Sequence, residues 1–459
     1  PGRPASHCSE PPSSTVGMPY FTGRVAEAYA SRGVHAPYRH QAMALRALAR
    51  GRHVALATST ASGKSLVYTA PAIQAIIDDP RARCLLLFPT KALAQDQLRS
   101  LSALSDAACP SLLAVTFDGD TTQVDREQFR ARAHCFLTNP DTLHATILPN
   151  AAEWCKVLRN LRLVVIDEAH TYRGAFGSHV AMVLRRLRRE CARLGAAPRF
   201  IACSATISNP REHVCALTGL PADDIELVCE DGAPTGPRTV ALWNPALLPR
   251  HAMSEWHDRA PPGSARSRVS AVADAARLLA MLVEGGIRTI CFTKTRSVAE
   301  LVLARARESL PPHLADRVAS YRAGYTAARR RAIERALFGG RLLAIAATSA
   351  LELGVDVSAV DATLHVGVPA SAASFTQQAG RAGRAGQRTV TIVVAQENPL
   401  DQHFVSQPAS LLKRPLEAVT VRPTNEAIMR PHLVAAAREG GLRLPPRLRD
   451  EDSPTTPAG

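Results

Sequence analysis

Residues Thr58–Ser65 read TSTASGKS, between an apolar run (His53–Thr58) and a helix-like run (Leu66–Ile77). A strand, a loop and a helix start in that order can wrap phosphate groups. Backbone N–H groups of Thr60, Ala61 and Ser62 and of the helix start can point at phosphate oxygens. Gly63 gives the backbone room to approach, Lys64 can reach the β- and γ-phosphates, and Ser65 offers a hydroxyl to Mg²⁺. The strict phosphate-loop pattern asks for Gly where this chain has Thr58. Further along, Leu161–His170 reads LRLVVIDEAH, an apolar strand ending in two carboxylates. That is the edge at which an α/β sheet holds its ligand. Asp167 is the candidate Mg²⁺ ligand, and Glu168 is placed to polarise an attacking water. Phosphoryl transfer needs both roles, because it depends on positioning and charge neutralisation. An acidic turn after a buried strand means little alone. After a phosphate loop it reads as part of a site that hydrolyses a nucleoside triphosphate.

The elements that must position these residues are visible as short apolar runs. His53–Thr58, Arg83–Phe88, His134–Leu137, Leu161–Ile166 and Phe200–Cys203 form one series. Thr239–Trp243, Thr289–Phe292, Leu342–Ala346, Ala362–Val366 and Thr389–Val394 form a second. Buried parallel strands alternating with helices indicate α/β domains with helices on both faces, and two series predict two sheets. Asp231–Arg238, rich in Gly and Pro, is the expected linker, and Asn244–Arg268 a loop out of the second domain. The helix Val180–Arg193 carries Arg185, Arg186, Arg188, Arg189 and Arg193; a solvated face is favoured over a nucleic-acid face. Trp243 is expected in the core, whereas Trp256 fits core and base stacking equally. Acidic, Pro/Thr-rich Glu451–Gly459 is expected to be disordered.

Composition narrows the class. The formal charge of the 459 residues is +15, almost all from arginine, since Lys64, Lys91, Lys156, Lys294 and Lys413 are the only lysines. The planar guanidinium suits phosphate contact. The ten cysteines form no CxxC pair, which points to reduced thiols and a cytoplasmic protein rather than a zinc or redox site. No apolar stretch is long enough to span a membrane, and polar Pro1–Pro19 lacks a signal core. The chain opens on Pro1 rather than Met, as a fragment or processed product would.

With TSTASGKS and DEAH in order, Tyr38 to Leu442 resembles a superfamily two ATP-dependent helicase of the DEAD/DEAH type. Tyr38 and Gln41 of YRHQ are similar to the adenine-reading motif of that family. FPTKALAQDQ (Phe88–Gln97), FDGDT (Phe117–Thr121) and TNPDTLH (Thr138–His144) look like strand-gripping motifs. SAT (Ser204–Thr206) looks like the motif coupling hydrolysis to movement. CFTKTRSVAE (Cys291–Glu300), ATSALELGVDV (Ala347–Val357) and QQAGRAGR (Gln377–Arg384) look like those of the second domain. Thr58–Ser65, Asp167–Arg189 and NPLDQHF (Asn398–Phe404) narrow the match to the MrfA/YprA-like group, related to the Hrq helicases.

The resemblance implies two tandem RecA-like domains, over 37–238 and 239–415, between an N-terminal segment 1–36, partly disordered, and an extension 416–459. It implies ATP and Mg²⁺ as cofactors, with Gly354 and Asp356 on ATP and with Gln377, Arg381 and Arg384 completing the catalytic set. Pro89, Thr90, Lys91, Thr138, Asn139, Thr293 and Thr348 would touch nucleic acid. The implied activity is 3′-to-5′ movement on DNA that is single-stranded or carries a 3′ tail, associated with repair. Family members usually continue into a four-cysteine zinc region; no cysteine follows Cys291, so no zinc is expected here. An RNA helicase with the same motor and a non-catalytic ATP-dependent clamp are the alternatives. No membrane is implied, and protein partners are not specified.

An arginine reaching across a domain interface stabilises charge that exists mainly in the transition state. Arg384→Ala is therefore expected to lose most ATP turnover, while nucleotide affinity, strand binding and the thermal melt are retained. In GTPases such an arginine is worth about 10³–10⁵ in rate. Turnover within about twofold of the parent, ~0.4 kcal/mol at the barrier, would transfer the role to Arg381.

Overall fold

The structure, a computed structural model, describes residues 18–234, 236–247, 268–322, 324–352, 360–383 and 387–440. Gly354, Asp356, Arg384, Trp256 and the acidic tail lie outside them. The apolar runs form two sheets in which every pairing is parallel. The first contains β1 (His53–Ala57), β2 (Arg83–Leu87), β3 (Ala114–Thr116), β4 (Cys135–Thr138), β5 (Leu161–Ile166), β6 (Arg199–Ser204) and β7 (Ile225–Val228). Its order is β3-β4-β2-β5-β6-β1-β7. The second contains β8 (Arg238–Trp243), β9 (Thr289–Phe292), β10 (Val318–Tyr321), β11 (Ala344–Ala347), β12 (Ala362–Val366) and β13 (Thr389–Val394), in the order β10-β11-β9-β12-β13-β8.

Parallel neighbours need crossover connections, and helices supply them. Both faces of each sheet are therefore buried. In β2, Cys84 and Leu86 join one core while Leu85 and Leu87 join another. In β9, Cys291 faces one core while Ile290 and Phe292 face the other. From residue 18 on, the N-terminal segment packs on the first lobe. Met18, Phe21 and Val25, the last in the helix Gly23–Ala30, are buried in the first lobe.

Three strands escape the sequence reading: β3, β7 and β10. Each lies at the edge of its sheet. β3 is only three residues long, and Glu226 interrupts the apolar residues of β7 and Ser320 those of β10. Trp243 corrects an expectation, because no residue of β8 is buried. It ends edge strand β8, is 39% exposed, and donates its indole N–H to Asp274 Oδ2 at 2.9 Å.

The arginine-rich helix, observed over Gly174–Arg193, also departs from the solvated reading. Arg185 Nη1 donates to Ala216 O at 3.0 Å, and Arg188 Nη1 to Thr218 O at 3.1 Å and Gly219 O at 2.6 Å. Those carbonyls end the helix Pro210–Thr218, where the helix dipole is negative. Arg186 is buried and grips Glu439 with two N–H groups, Nε reaching Oε2 at 3.0 Å. Glu439 belongs to the C-terminal helix Glu426–Gly440, which returns from the second lobe to pack on the first. Among the described residues no helix is long and apolar enough to cross a membrane.

Arg186 and Glu439 have side chains only 3% and 2% exposed. Removing one partner leaves an uncompensated buried charge, which typically costs ~3–5 kcal/mol. Glu439→Ala is expected to lower the denaturation midpoint of the first lobe strongly and to free the C-terminal helix for proteolysis. Replacing both residues with apolar ones of similar volume should recover much of the loss. Chemical denaturation of the three proteins checks both statements.

Candidate active site

The TSTASGKS turn joins β1 to the helix Leu66–Asp78 and is held in shape from several sides. Thr58 Oγ1 and Ser62 Oγ share a buried hydrogen bond of 2.8 Å. Gly63 has φ +76°, and a Cβ there would stand 2.7 Å from Gln41 Nε2, so glycine is required twice over. Lys64 Nζ donates to the carbonyls of Thr58 (3.1 Å) and Ser59 (2.6 Å), which aims the ammonium into the loop. Gln41 accepts from Tyr38 N (2.7 Å) and donates to Gly63 O (2.8 Å), so its amide ties the helix Arg39–Ala49 to the loop.

Two loop contacts have no sequence signal that isolates them. His40 is fully buried; its Nδ1 accepts from Gly232 N (3.1 Å), so Nε2 carries the proton and donates to Ser62 O (3.0 Å). Burial pushes its pKa below the usual histidine value, and the nearby Asp231 carboxylate opposes that shift. Asp231 in turn accepts from the backbone N–H and hydroxyl of Ser59. The expected linker is thus fastened to the phosphate loop at its start.

Asp167 ends β5 and is buried at 7% exposure. Burial, then the charge of Glu168, pushes its pKa up to about 7. Glu168 N–H donates to Asp167 Oδ1 at 2.9 Å and Tyr68 O–H to Oδ2 at 3.2 Å. Glu168 itself adopts φ +49°, a left-handed conformation rare for a non-glycine residue. Such strain collects at functional sites. A cavity of about 610 Å³ contains Thr60 to Ser65, Asp167 and Glu168 in its wall, together with Gly380 and Arg381 of the second lobe. The Ser65 hydroxyl and Asp167 carboxylate are hard oxygen donors on one cavity, which fits Mg²⁺. A neighbouring cavity of about 270 Å³ is bordered by Tyr38, the loop, Thr376 and Gly380.

The second lobe reaches the site through the helix Ala372–Ala379. Gly380 lies against the phosphate loop: a Cβ there would be 3.4 Å from that of Thr60. The buried Gln377 amide lies 2.6 Å from His170 Nε2. His170 Nδ1 accepts from Ala205 N (3.1 Å), so Nε2 bears the proton and faces Gln377 Nε2; the contact is a hydrogen bond with the Gln377 amide assigned the other way round, its oxygen accepting from Nε2–H. Burial holds the His170 pKa down at about 4, keeping the ring neutral. One ring therefore joins DEAH, SAT and QQAGRAGR.

The residues expected to touch nucleic acid sit at the carboxyl ends of neighbouring strands: β2 and β4 in one sheet, β9 and β11 in the other. Pro89 is half-buried, and Thr90 caps the helix Lys91–Ala108 by accepting from Leu93 N at 3.3 Å. Asn139 accepts from Thr142 N in the same way at 2.8 Å. Lys91 is paired with Asp120 (2.7 Å) and Asp118 (3.5 Å) of FDGDT, and the Asp120 bond raises its pKa. Thr138 is buried, and its hydroxyl has no partner. Thr293 is buried and donates to Thr295 O at 3.1 Å; Thr348 is half-buried.

The family model for DEAD/DEAH box helicases matches residues 38–214, and that for the helicase conserved C-terminal domain matches 272–386. The ATP-dependent helicase HRQ1 of Saccharomyces cerevisiae is 41% identical over 416 residues, 89% of this chain and 37% of that protein. The uncharacterized ATP-dependent helicase YprA of Bacillus subtilis is 39% identical over 417 residues, 91% of this chain and 54% of that protein. The crystal structure of the DUF1998 helicase MrfA bound to DNA superposes with a TM-score of 0.85 at 39% identity, over 92% of this chain and 54% of the other. The chain thus spans between about a third and about a half of these proteins.

The neutral His170 predicts a pH effect. Its folded pKa of about 4 lies below the usual 6.5, so folding gains from neutral His170 in full above pH 6.5. That gain is lost as pH falls from 6.5 toward 4, because the unfolded chain then binds the proton. Protonation would also set two N–H groups against each other at Ala205. His170→Gln is expected to flatten stability against pH over that window relative to the parent, as measured by denaturation at fixed pH values.

Proposed function

Since the chain belongs to the superfamily two helicases of Hrq1/YprA/MrfA type, we propose that it is an ATP-driven DNA motor that hydrolyses ATP to move 3′-to-5′ along single-stranded DNA. The observation that carries this reading is the convergence of Lys64, Asp167, Glu168 and Arg381 on one cavity between two lobes. Residues 37–238 would form the ATP-binding lobe and 239–415 the second lobe. A cytoplasmic place and a part in DNA repair follow the same reading.

ATP would supply the phosphoryl group and Mg²⁺, on Ser65 and Asp167, would neutralise its charge. Lys64 and the loop amides would hold the β- and γ-phosphates. Glu168 would orient a water in line with the scissile bond. Tyr38 would stack on the adenine at the smaller cavity. Gln377 and Arg381 would arrive when the lobes close, so hydrolysis would depend on lobe position. Strand contacts at the ends of β2, β4, β9 and β11 would be to the backbone, which carries no sequence code. The DNA named with MrfA supports DNA over RNA as the strand.

ATP turnover with and without single-stranded DNA or RNA of equal length tests the proposal. DNA is expected to stimulate most. Lys64→Ala should abolish turnover and weaken ATP binding; Glu168→Gln should abolish turnover and leave ATP bound. Near-parental hydrolysis in either variant, or no stimulation by any strand, would remove the assignment. Binding should weaken steeply with salt and vary little between scrambled sequences.

A further inference from the structure

After β13 the chain returns to the first lobe, and the returning segment bonds to the helix that carries Gln377 and to the segments that follow SAT and DEAH. The Glu417 carboxylate accepts from Ala372 N (2.8 Å) and Ala373 N (3.2 Å), the opening amides of the helix that carries Gln377. Two residues later, Asn209 holds Val419 with both ends of its amide. Its Oδ1 accepts from Val419 N at 2.8 Å, and its Nδ2 donates to Val419 O at 3.1 Å. Asn209 follows SAT closely in sequence. Thr420 O accepts from Gly174 N (2.8 Å) and Arg422 N donates to Ser178 Oγ (3.0 Å), both at the start of the helix that follows DEAH. Val421 packs on a core of the first lobe.

Asn209 occupies the N-cap position of the helix Pro210–Thr218, yet its side chain makes no cap hydrogen bond. Asparagine is favoured at such positions because it accepts from the helix amides. Here the amide is directed instead at the peptide of Val419, where one donor and one acceptor match one N–H and one C=O. The contact is neutral, so salt screens it little.

The lobes are consequently joined at two places. The first crossing begins at Asp231, fastened to Ser59 of the phosphate loop. The second runs from Glu417, on the Gln377 helix, to Asn209 behind SAT. A body held at one flexible point can swing and twist; held at two, it turns about the line joining them.

We propose that Asn209 is a positioning residue: through Val419 and Glu417 it confines closure of the lobes to the path that brings Gln377 and Arg381 onto the nucleotide cavity. The claim rests on the ATPase reading for its kinetic consequence, but its geometric consequence does not. Asn209 touches no reacting atom and acts through the helix Ala372–Ala379.

The test uses the full chain with Asn209→Ala and Asn209→Asp, which keeps the acceptor for Val419 N–H and loses the donor. Distance labels at Val124 and Met281, exposed positions on the two lobes, report the spread of lobe separations with and without a non-hydrolysable ATP analogue and single-stranded DNA. The parent is expected to show one narrow population with analogue and DNA. Asn209→Ala is expected to show a broad one and a strand-stimulated kcat lower by about tenfold, ~1.4 kcal/mol at the barrier. Its KM for ATP and its melt should stay near parental, and Asn209→Asp should fall between. Glu417→Gln, which weakens the other end of the strap, should broaden the distribution in the same direction and serves if Asn209→Ala does not fold. A narrow parental distribution in folded Asn209→Ala would overturn the proposal, as would a broad one with parental kcat. If the parent itself turns over no ATP, the ATPase reading fails, and the distance distributions alone decide on Asn209.

Discussion

The contact of Gln377 with His170 is the constraint on which the site depends. The cavity is walled from both lobes: Lys64, Asp167 and Glu168 lie on the first, and Arg381 on the second. The set is complete only at one relative placement, and a neutral imidazole marks it. His170 cannot be charged without opposing the Ala205 N–H, so burial and hydrogen bonding force the same tautomer. That tautomer presents its single N–H to the incoming glutamine. The ring thus has a fixed chemical state on one side and a movable partner on the other.

Parallel sheets supply the frame. Because β1 to β7 all run one way, their carboxyl ends share an edge, and the loops that leave them meet there. The phosphate loop leaves β1, the carboxylates leave β5, and SAT leaves β6. Burial of both sheet faces packs each lobe on two cores, and two stretches of chain cross between the lobes. Those crossings are not slack. Asp231 ties one to the phosphate loop, and Asn209 ties the other to the segment after SAT.

Much of this was legible from the chain, and the exceptions share a cause. TSTASGKS, DEAH and the central strands are local patterns, read from contiguous residues. Strands β3, β7 and β10 are three, four and four residues long, and a polar residue ends or interrupts each. His40 could be understood only with Ser62 and Gly232 beside it in space. Asn209 looks locally like an ordinary helix cap, but its partner lies at Val419. The arginines of Gly174–Arg193 were ambiguous because a basic helical face looks alike whether water, phosphate or protein carbonyls cover it. What decides among these is the fold around the helix, including Glu439 from the far end of the chain.

Those arginines also change the meaning of the +15 charge. A guanidinium has five N–H donors and can end a neighbouring helix or join a distant carboxylate while remaining cationic. Arg185 and Arg188 act on the carbonyl end of Pro210–Thr218, and Arg186 on Glu439. Lys91, on a motif expected to meet the strand, is already paired with Asp118 and Asp120. Counterion release counts the phosphates a protein neutralises, not its formal charge. Grip on a strand is therefore set by the few cations that face the carboxyl edge, and a lysine held by two aspartates can meet phosphate only by exchanging partners. Such an exchange costs less at exposed Lys91 and Asp120 than at Asp118, which is buried.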